Sequence, residues 1–309
     1  MSWCSRALLL EFPYRVGWFE SELPPPQPDE VLVKTVFGSI STGSEIAQFK
    51  GEDPIAAARP LPRKLGYENV AEVILCGSQV QELQPGGYVV GTYGHRDYAL
   101  VPANRLIPIA QSAPGALLLI LGSDTARAIA KLELSLRSPL LVMGAGAVGL
   151  LALFNLTARG YRMVDVVEPD PARLALARKF GARQGFMPDQ VPVSAASYAG
   201  GFECSGNSAA FLQLQNQMVQ GGQICVLSDA RLTPLPLSPA FHDKELRIYG
   251  SSNGLDYRTY ARWFLAHARR YPLEEIFDTQ IRFTELPETL IAMAEGQIQP
   301  RKVLIFYDR

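Results

Sequence analysis

The sequence predicts an α/β fold in which a domain of short β-strands is combined with a doubly wound parallel sheet. Residues 1 to about 110 contain many short apolar runs separated by turn residues, which is typical of a compact, barrel-like β domain. From about residue 116 onward, apolar runs of strand length alternate with helical segments, which indicates a parallel sheet. A glycine-rich turn at residues 144–149 joins one of these strands to a helix.

The individual elements follow from periodicity and turn residues. Residues 30–37 alternate apolar and polar side chains and form a strong strand prediction, after a stiff proline-rich connector at residues 24–28. Further strands are predicted at residues 7–10, 14–20, 66–75, 88–91, 98–102, 105–108, 139–143, 163–167, 201–204, 223–227, 246–250, 280–283 and 302–307. Helices are predicted at residues 116–132, 150–159, 171–180, 208–219, 257–270 and 286–295, and Gly181 is placed to end the third of them.

The composition limits the classes of function. The 309 residues carry a formal net charge of -1, so no basic excess points to a nucleic acid or a membrane surface as partner. The apolar run near the N-terminus is too short for a signal peptide and no other segment looks transmembrane, which favours a cytoplasmic protein. Cys4, Cys76, Cys204 and Cys225 lack metal-ligand spacing, so they are expected to be reduced and mostly buried.

The glycine-rich turn has the context of a dinucleotide-binding fingerprint, because a buried strand precedes it and a helix follows. Gly144 allows the tight turn, Gly146 lets the backbone approach a pyrophosphate, and Gly149 lets the helix pack against the strand. The pyrophosphate is expected on the free N–H groups of the helix N-terminus, at Ala147 and Val148. A packing turn without a ligand and a membrane span are the alternatives, and the span would need about 20 apolar residues.

Glu168 completes the fingerprint at the end of the next strand, 19 positions after Gly149. A carboxylate at this place can accept hydrogen bonds from a ribose diol and repels a 2′-phosphate, which favours NAD. Arg173 is close in sequence and could instead serve a 2′-phosphate, so NADP stays possible.

Several further motifs occur in a specific order. They lie at residues 31–45, 66–73, 77, 85–89, 98–103, 124–126, 168–182 and 301–304. In this order and spacing the sequence resembles the medium-chain dehydrogenase/reductase superfamily over nearly its whole length. The resemblance implies a GroES-like β-barrel catalytic domain (residues 1–115 and 253–309), an inserted Rossmann domain (residues 116–252) and a substrate cleft. It also implies a small-molecule substrate and favours a homo-oligomer.

The resemblance extends to single residues of the cofactor site. The position of Thr125 usually meets the nicotinamide in this family, and that of Arg301 often meets the pyrophosphate. Ser205 is assigned to the same site.

The sequence departs from the family at the metal. Zinc-dependent members place a cysteine in the loop at residues 40–45 and a histidine where this chain has Tyr67, and they often carry a four-cysteine lobe that is missing here. Zinc prefers thiolate, imidazole and carboxylate ligands, and Glu45 and Glu68 alone make no persuasive site. The sequence therefore predicts an enzyme without catalytic zinc.

Without a metal, hydrogen-bond donors must polarise the substrate oxygen. The candidates are Tyr67, the loop hydroxyls of Ser41, Thr42 and Ser44, and His95. Each has a plainer alternative: Tyr67 fills the volume left by the metal, the loop residues cap a helix starting near residue 45, and His95 lies exposed in a loop.

The resulting prediction is a zinc-independent, NAD(P)-dependent oxidoreductase that moves hydride between nicotinamide and a secondary alcohol or ketone. Two alternatives stay open: a quinone or enoyl reductase acting on a conjugated C=C bond, and a dinucleotide-binding protein without catalytic activity.

Overall fold

The fold is described from a computed structural model, which covers residues 3–191, 197–228, 234–254 and 256–307. In chain order the strands are β1 (Trp3–Phe12), β2 (Arg15–Leu23), β3 (Glu30–Ile40), β4 (Arg63–Lys64), β5 (Asn69–Cys76), β6 (Tyr88–Gly91), β7 (Tyr98–Pro102), β8 (Ile107–Ile109), β9 (Leu140–Met143), β10 (Val164–Val167), β11 (Gln184–Phe186), β12 (Tyr198–Glu203), β13 (Met218–Val226), β14 (Arg247–Gly250), β15 (Thr279–Arg282) and β16 (Val303–Phe306). The helices are α1 (Ser44–Lys50), α2 (Pro54–Ala57), α3 (Leu119–Ala130), α4 (Ala147–Ala158), α5 (Pro171–Lys179), α6 (Ser208–Gln217), α7 (Pro239–Asp243), α8 (Tyr257–Ala268) and α9 (Leu286–Ala294).

The chain divides into two compact units, after Leu118 and again after Ile276. The two outer segments form the first unit, and Leu119–Ile276 form the second. The second boundary expected from the sequence lies at residues 252/253 instead. The difference arises because α8 packs against α3 and therefore belongs to the second unit.

The first unit is rich in β-strands and contains both ends of the chain. Its larger sheet has the order β15-β16-β3-β5-β6-β8, and β7 pairs with β3 as a branch. Strands β2, β1 and β4 form a smaller antiparallel sheet. A core cluster of buried apolar side chains, including Leu10, Phe49, Leu286 and Ile305, joins the two outer segments.

The register of the larger sheet determines where functional side chains meet. β3 runs antiparallel to both β5 and β16, with Gly38 opposite Asn69 and Ile40 opposite Val303. The loop after β3 therefore lies at the same sheet end as the residues that precede β5 and β16.

The second unit is a parallel sheet with the strand order β11-β10-β9-β12-β13-β14. This is the doubly wound order of a Rossmann domain, in which the direction of strand addition reverses between β9 and β12. Together the β-rich unit and this inserted domain confirm the predicted fold class. Within the part of the chain that the structure describes, every helix is too short or too polar to cross a bilayer.

Several short elements, including α2, α7 and β4, have no counterpart among the elements expected from the sequence. The helix expected over residues 116–132 is divided into a 3₁₀ turn at Pro114–Leu118 and α3. The edge strand β11 was not anticipated, because it has only 3 residues and contains Gly185 in place of an apolar run.

Candidate active site

The glycine turn lies at the carboxyl end of the central strand β9. Gly144 has a φ of +95° and its N–H donates to the Val167 carbonyl at 2.8 Å. A Cβ at Gly149 would lie 1.9 Å from the Gly144 oxygen, so the helix approaches the turn as closely as glycine permits. A Cβ at Gly146 would meet nothing within 4 Å, which leaves open space beside the backbone.

The N-terminus of α4 differs from those of the next two helices of the unit. Asp170 caps α5 and Asn207 caps α6 through their side chains, whereas α4 starts after Gly146 with no side-chain cap. The first backbone N–H groups of a helix have no partner within the helix. The amides of Ala147 and Val148 are thus suited to hold an anion such as a pyrophosphate.

Glu168 lies buried just after β10, and its carboxylate is hydrogen-bonded to the glycine turn. One oxygen accepts the Ala145 N–H at 2.7 Å and the other accepts the Asp170 N–H at 3.1 Å. These bonds fix the carboxylate while each oxygen keeps a second lone pair for a ligand hydroxyl. Arg173 is paired with Asp170 at 3.6 Å.

Glu203, at the end of β12, is a residue that the sequence analysis missed. Its buried carboxylate accepts the Ser205 N–H at 2.8 Å, the Ser205 hydroxyl at 2.6 Å and the Gly206 N–H at 2.6 Å. Ser205 in turn lies against Gly144, where an added Cβ would be 3.2 Å from it. The sequence feature that could have identified it is an acidic residue at the end of a predicted strand, as at Glu168.

Thr125 lies on α3 and is fully buried within the second unit. Its hydroxyl donates to the Gly122 carbonyl at 2.9 Å and accepts from the Asn155 amide at 2.7 Å. These contacts give its expected nicotinamide contact no support, and that contact stays a prediction.

The first unit holds a cluster of three hydroxyl groups, from Ser41, Ser44 and Tyr67. The Tyr67 hydroxyl donates to Ser41 Oγ at 2.6 Å, and Ser44 Oγ lies 3.0 Å from Tyr67 and 3.3 Å from Ser41. Thr42 does not join them, because its hydroxyl points to the Arg301 carbonyl at 3.4 Å. The hydroxyl cluster, as we call Ser41, Ser44 and Tyr67, thus unites three of the five predicted catalytic residues.

The helix-capping alternative for the loop hydroxyls is wrong. The N-cap of α1 is Gly43, and no side chain caps it. The serine hydroxyls are therefore free of the α1 backbone and bond to one another and to Tyr67.

The phenol of Tyr67 is a proton donor and not a base. Burial raises its pKa well above the usual value, and the nearby Glu68 carboxylate raises it further. Hydrogen bonding with Ser41 and Ser44 lowers the pKa but does not outweigh these effects. Tyr67 thus stays protonated throughout the neutral range.

His95 is buried, so the expectation of an exposed loop residue is wrong. Its Nε2 lies 2.5 Å from an oxygen of Glu45, which is itself buried. The other Glu45 oxygen accepts the backbone N–H of Ser41 at 3.3 Å. Glu45 was considered only as a metal ligand from the sequence, and the structure connects it to the hydroxyl cluster.

Glu68 follows Tyr67 and is committed to another partner. Its carboxylate accepts from the buried Lys302 ammonium at 2.7 Å and from the Ser39 hydroxyl. Glu68 thus joins the segment before β5 to the segment before β16 within the first unit.

Arg301, the predicted pyrophosphate contact, pairs with Asp278 at 3.6 Å.

The side chains around Tyr67 do not fit a zinc site. The available donors are mostly hydroxyl groups, His95 Nε2 is engaged by Glu45, and Glu68 is engaged by Lys302. Across residues 3–191, 197–228, 234–254 and 256–307, no three His, Cys, Asp or Glu side chains form a possible metal-binding group. Zinc requires such ligands, and we derive no chemical step through a metal.

Comparisons with known proteins agree with the fold. A family model described as zinc-binding dehydrogenase matches residues 147–266. The L-threonine 3-dehydrogenase of Chelativorans sp. strain BNC1 is 26% identical over 267 residues, covering 73% of this chain and 77% of the relative. The enzyme of the same name from Mesorhizobium japonicum is 26% identical over 258 residues, with coverage of 69% and 73%.

Solved structures share the architecture over almost the full length. An alcohol dehydrogenase from Thermotoga maritima has a TM-score of 0.84 at 16% identity, covering 99% of this chain and 100% of its own. A zinc-binding dehydrogenase from Sinorhizobium meliloti, bound to NADP, has a TM-score of 0.84 at 19% identity, with coverage of 98% and 99%. A short chain alcohol dehydrogenase from Escherichia coli, complexed with NADH, has a TM-score of 0.79 at 18% identity, with coverage of 98% and 99%. The chain is therefore similar in sequence to these dehydrogenases over about 70% of its length, and it shares the fold of the medium-chain dehydrogenase/reductase superfamily.

Proposed function

We propose that this protein is a zinc-independent oxidoreductase that moves hydride between a nicotinamide cofactor and a secondary alcohol or ketone. The observation that carries the proposal is the hydroxyl cluster, which contains Tyr67 at the position where zinc-dependent members have a histidine ligand. When bound, the nicotinamide supplies or accepts the hydride. The chain itself holds the cofactor and handles the proton at the substrate oxygen.

The hydroxyl cluster can deliver one proton. Tyr67 and Ser44 both donate to Ser41 Oγ, so the proton of Ser41 itself is left for another acceptor. In ketone reduction the carbonyl carbon receives the hydride and the carbonyl oxygen takes this proton, while Tyr67 replaces it on Ser41 and regains its own proton from water before the next turnover.

The hydroxyl cluster favours this reaction over hydride addition to a conjugated C=C bond. Its donors suit an oxygen that gains or loses a proton, whereas an enone also needs a proton at carbon. The test is the absorbance of reduced nicotinamide with secondary alcohols, ketones, enones and quinones, using both NAD(H) and NADP(H). Turnover of enones alone would favour the reductase alternative, and cofactor binding with no turnover would favour the non-catalytic one.

The substrate panel also includes a chlorin with a 1-hydroxyethyl group. The loop at residues 40–45 and the run Gly66-Tyr67-Glu68 resemble those of hydroxyethyl bacteriochlorophyllide a dehydrogenase, which makes this secondary alcohol a narrower hypothesis. Elemental analysis belongs to the same experiment, because one tightly bound zinc per chain would contradict the proposal.

We expect Tyr67→Phe to lower turnover about 10²-fold while NADH affinity stays unchanged, because the variant loses the donor that resupplies Ser41. Stopped-flow turnover and NADH fluorescence titration measure the two quantities. Tyr93→Phe is the matched control, since Tyr93 is another tyrosine of the first unit whose hydroxyl is hydrogen-bonded, lying 3.0 Å from that of Thr35. Equal turnover in the two variants would make Tyr67 a packing residue.

We expect Glu168→Gln to weaken NAD binding about tenfold and to strengthen NADP binding, because the amide keeps the shape but removes the charge. The structural reason is that the Glu168 carboxylate lies beside the glycine turn, where its charge would repel a 2′-phosphate. Isothermal titration calorimetry with both cofactors measures the ratio of NAD affinity to NADP affinity. An unchanged ratio would remove Glu168 from cofactor selection.

A further inference from the structure

The hydroxyl cluster rests on two backbone segments that are far apart in sequence. Ser41 and Ser44 belong to the β3–α1 loop, whereas Tyr67 precedes β5. Neither hydroxyl group of the loop is held by a helix cap. The register of β3 with β5 brings the two segments to the same end of the sheet, and side-chain contacts beyond the sheet determine how the loop lies against Tyr67.

His95 contacts both segments. Its Nε2 lies 2.5 Å from Glu45, and Glu45 accepts the Ser41 N–H at 3.3 Å, so the loop is held from one side. Gly66 has a φ of +84° and its added Cβ would lie 2.6 Å from the His95 ring, so the ring packs directly against the backbone before Tyr67.

His95 is itself fixed by its own backbone. Its N–H donates to the Leu65 carbonyl at 2.9 Å and its carbonyl accepts the Leu8 N–H at 2.9 Å. The side chain is completely buried, so it meets neither solvent nor a substrate directly. A fixed backbone and a buried ring suit His95 to hold neighbouring groups in place.

We propose that Glu45 and His95 form a positioning pair that holds the loop of Ser41 and Ser44 against Tyr67 in the donating geometry. The proposal rests on the proposed function, and it assigns His95 a role through Glu45 and Gly66 in place of direct contact with substrate. A misplacement of about 1 Å in a reacting group can cost about 10²-fold in rate, so such a pair matters for catalysis.

The test compares disruptive and conservative variants. Glu45→Met and His95→Leu remove the pair, whereas His95→Gln keeps an N–H donor near the position of Nε2. Glu52→Gln is the control, because it removes a carboxylate just after α1 that pairs with Lys50 at 2.7 Å. We expect turnover to fall about ten- to a hundredfold in the disruptive variants and to stay near wild type in His95→Gln and Glu52→Gln.

A second readout does not depend on turnover. A fluorinated tyrosine, whose phenol is more acidic, is incorporated at position 67 and titrated by fluorine NMR. Glu68, which is paired with Lys302, and Glu45 are the carboxylates that act on this phenol. The nearby phenol of Tyr307 also faces Glu45.

The direction in which the pKa of the Tyr67 phenol changes distinguishes loss of positioning from loss of the Glu45 charge. Loss of the Glu45 charge alone would lower the pKa of the Tyr67 phenol, whereas loss of the Ser41 and Ser44 hydrogen bonds raises it. The hydrogen bond between Tyr67 and Ser41 has a larger effect than the Glu45 charge, so we expect a raised pKa in Glu45→Met and His95→Leu. An unchanged or lowered pKa overturns the positioning role.

Two controls keep the outcomes distinct. If Glu45→Met does not fold, Glu45→Gln replaces it. The glutamine amide mismatches one of the two contacts of Glu45, with His95 and with the Ser41 N–H, so we expect a smaller rise in the pKa of the Tyr67 phenol. Absence of turnover in the wild-type protein with every panel substrate contradicts the proposed function, and the phenol shift still decides whether Glu45 and His95 hold the cluster.

Discussion

Replacing Gly149 with alanine is expected to abolish nicotinamide binding and to destabilise the second unit by about 3 kcal/mol. The added Cβ would lie 1.9 Å from the Gly144 carbonyl oxygen and 2.9 Å from its carbonyl carbon, and these backbone atoms cannot move aside as a flexible side chain could. The turn or the start of α4 must therefore shift, and the anion-binding amides shift with it. Chemical denaturation and NADH fluorescence titration measure the two effects.

Gly146→Ala is the matched control because it adds the same methyl group three residues earlier. Here the Cβ would meet no atom within 4 Å, and the φ of -72° suits alanine. We expect the free energy of unfolding to change by less than about 1 kcal/mol. NADH affinity should still fall at least about tenfold, because the methyl group occupies the space that a pyrophosphate needs.

These two outcomes together test the role of the turn. Wild-type NADH affinity in Gly146→Ala would show that no pyrophosphate passes beside that backbone. A stable, NADH-binding Gly149→Ala protein would show that the close approach of helix and turn is dispensable.

The second unit was predictable because its signals are local. Gly144, Gly146 and Gly149 are close in sequence, and Glu168 follows at the end of the next apolar run. Each element of the Rossmann order is a run of apolar residues bounded by turns, which a single sequence reveals. The exception is β11, which is too short to carry a period.

The first unit was predictable as a fold but only partly as a site. The motif comparison identified Ser41, Ser44 and Tyr67 as donors, and the structure unites them. The pairing of Glu45 with His95 could not be read in advance, because the two residues are 50 positions apart and no periodicity links them. The antiparallel register of β3 with β5 and β16 brings such residues together, and a single sequence does not specify that register.

The same register explains the second large effect, which we expect from Lys302→Met. Lys302 and Glu68 are both buried, and their ammonium and carboxylate groups lie 2.7 Å apart. Removal of one partner leaves an unpaired charge in the interior, which typically costs about 3–5 kcal/mol. We expect a loss of this size in the free energy of unfolding, measured by chemical denaturation.

The double variant Lys302→Met with Glu68→Gln separates loss of charge pairing from loss of packing. Because the glutamine can still accept the Ser39 hydroxyl and no charge remains, we expect it to recover most of the stability lost in Lys302→Met. Equal instability of the single and double variants would mean that the lysine side chain acts mainly through its packing. Recovery would instead show that β16 is joined to β5 by a charge pair, and that this pair holds the backbone from which Tyr67 projects.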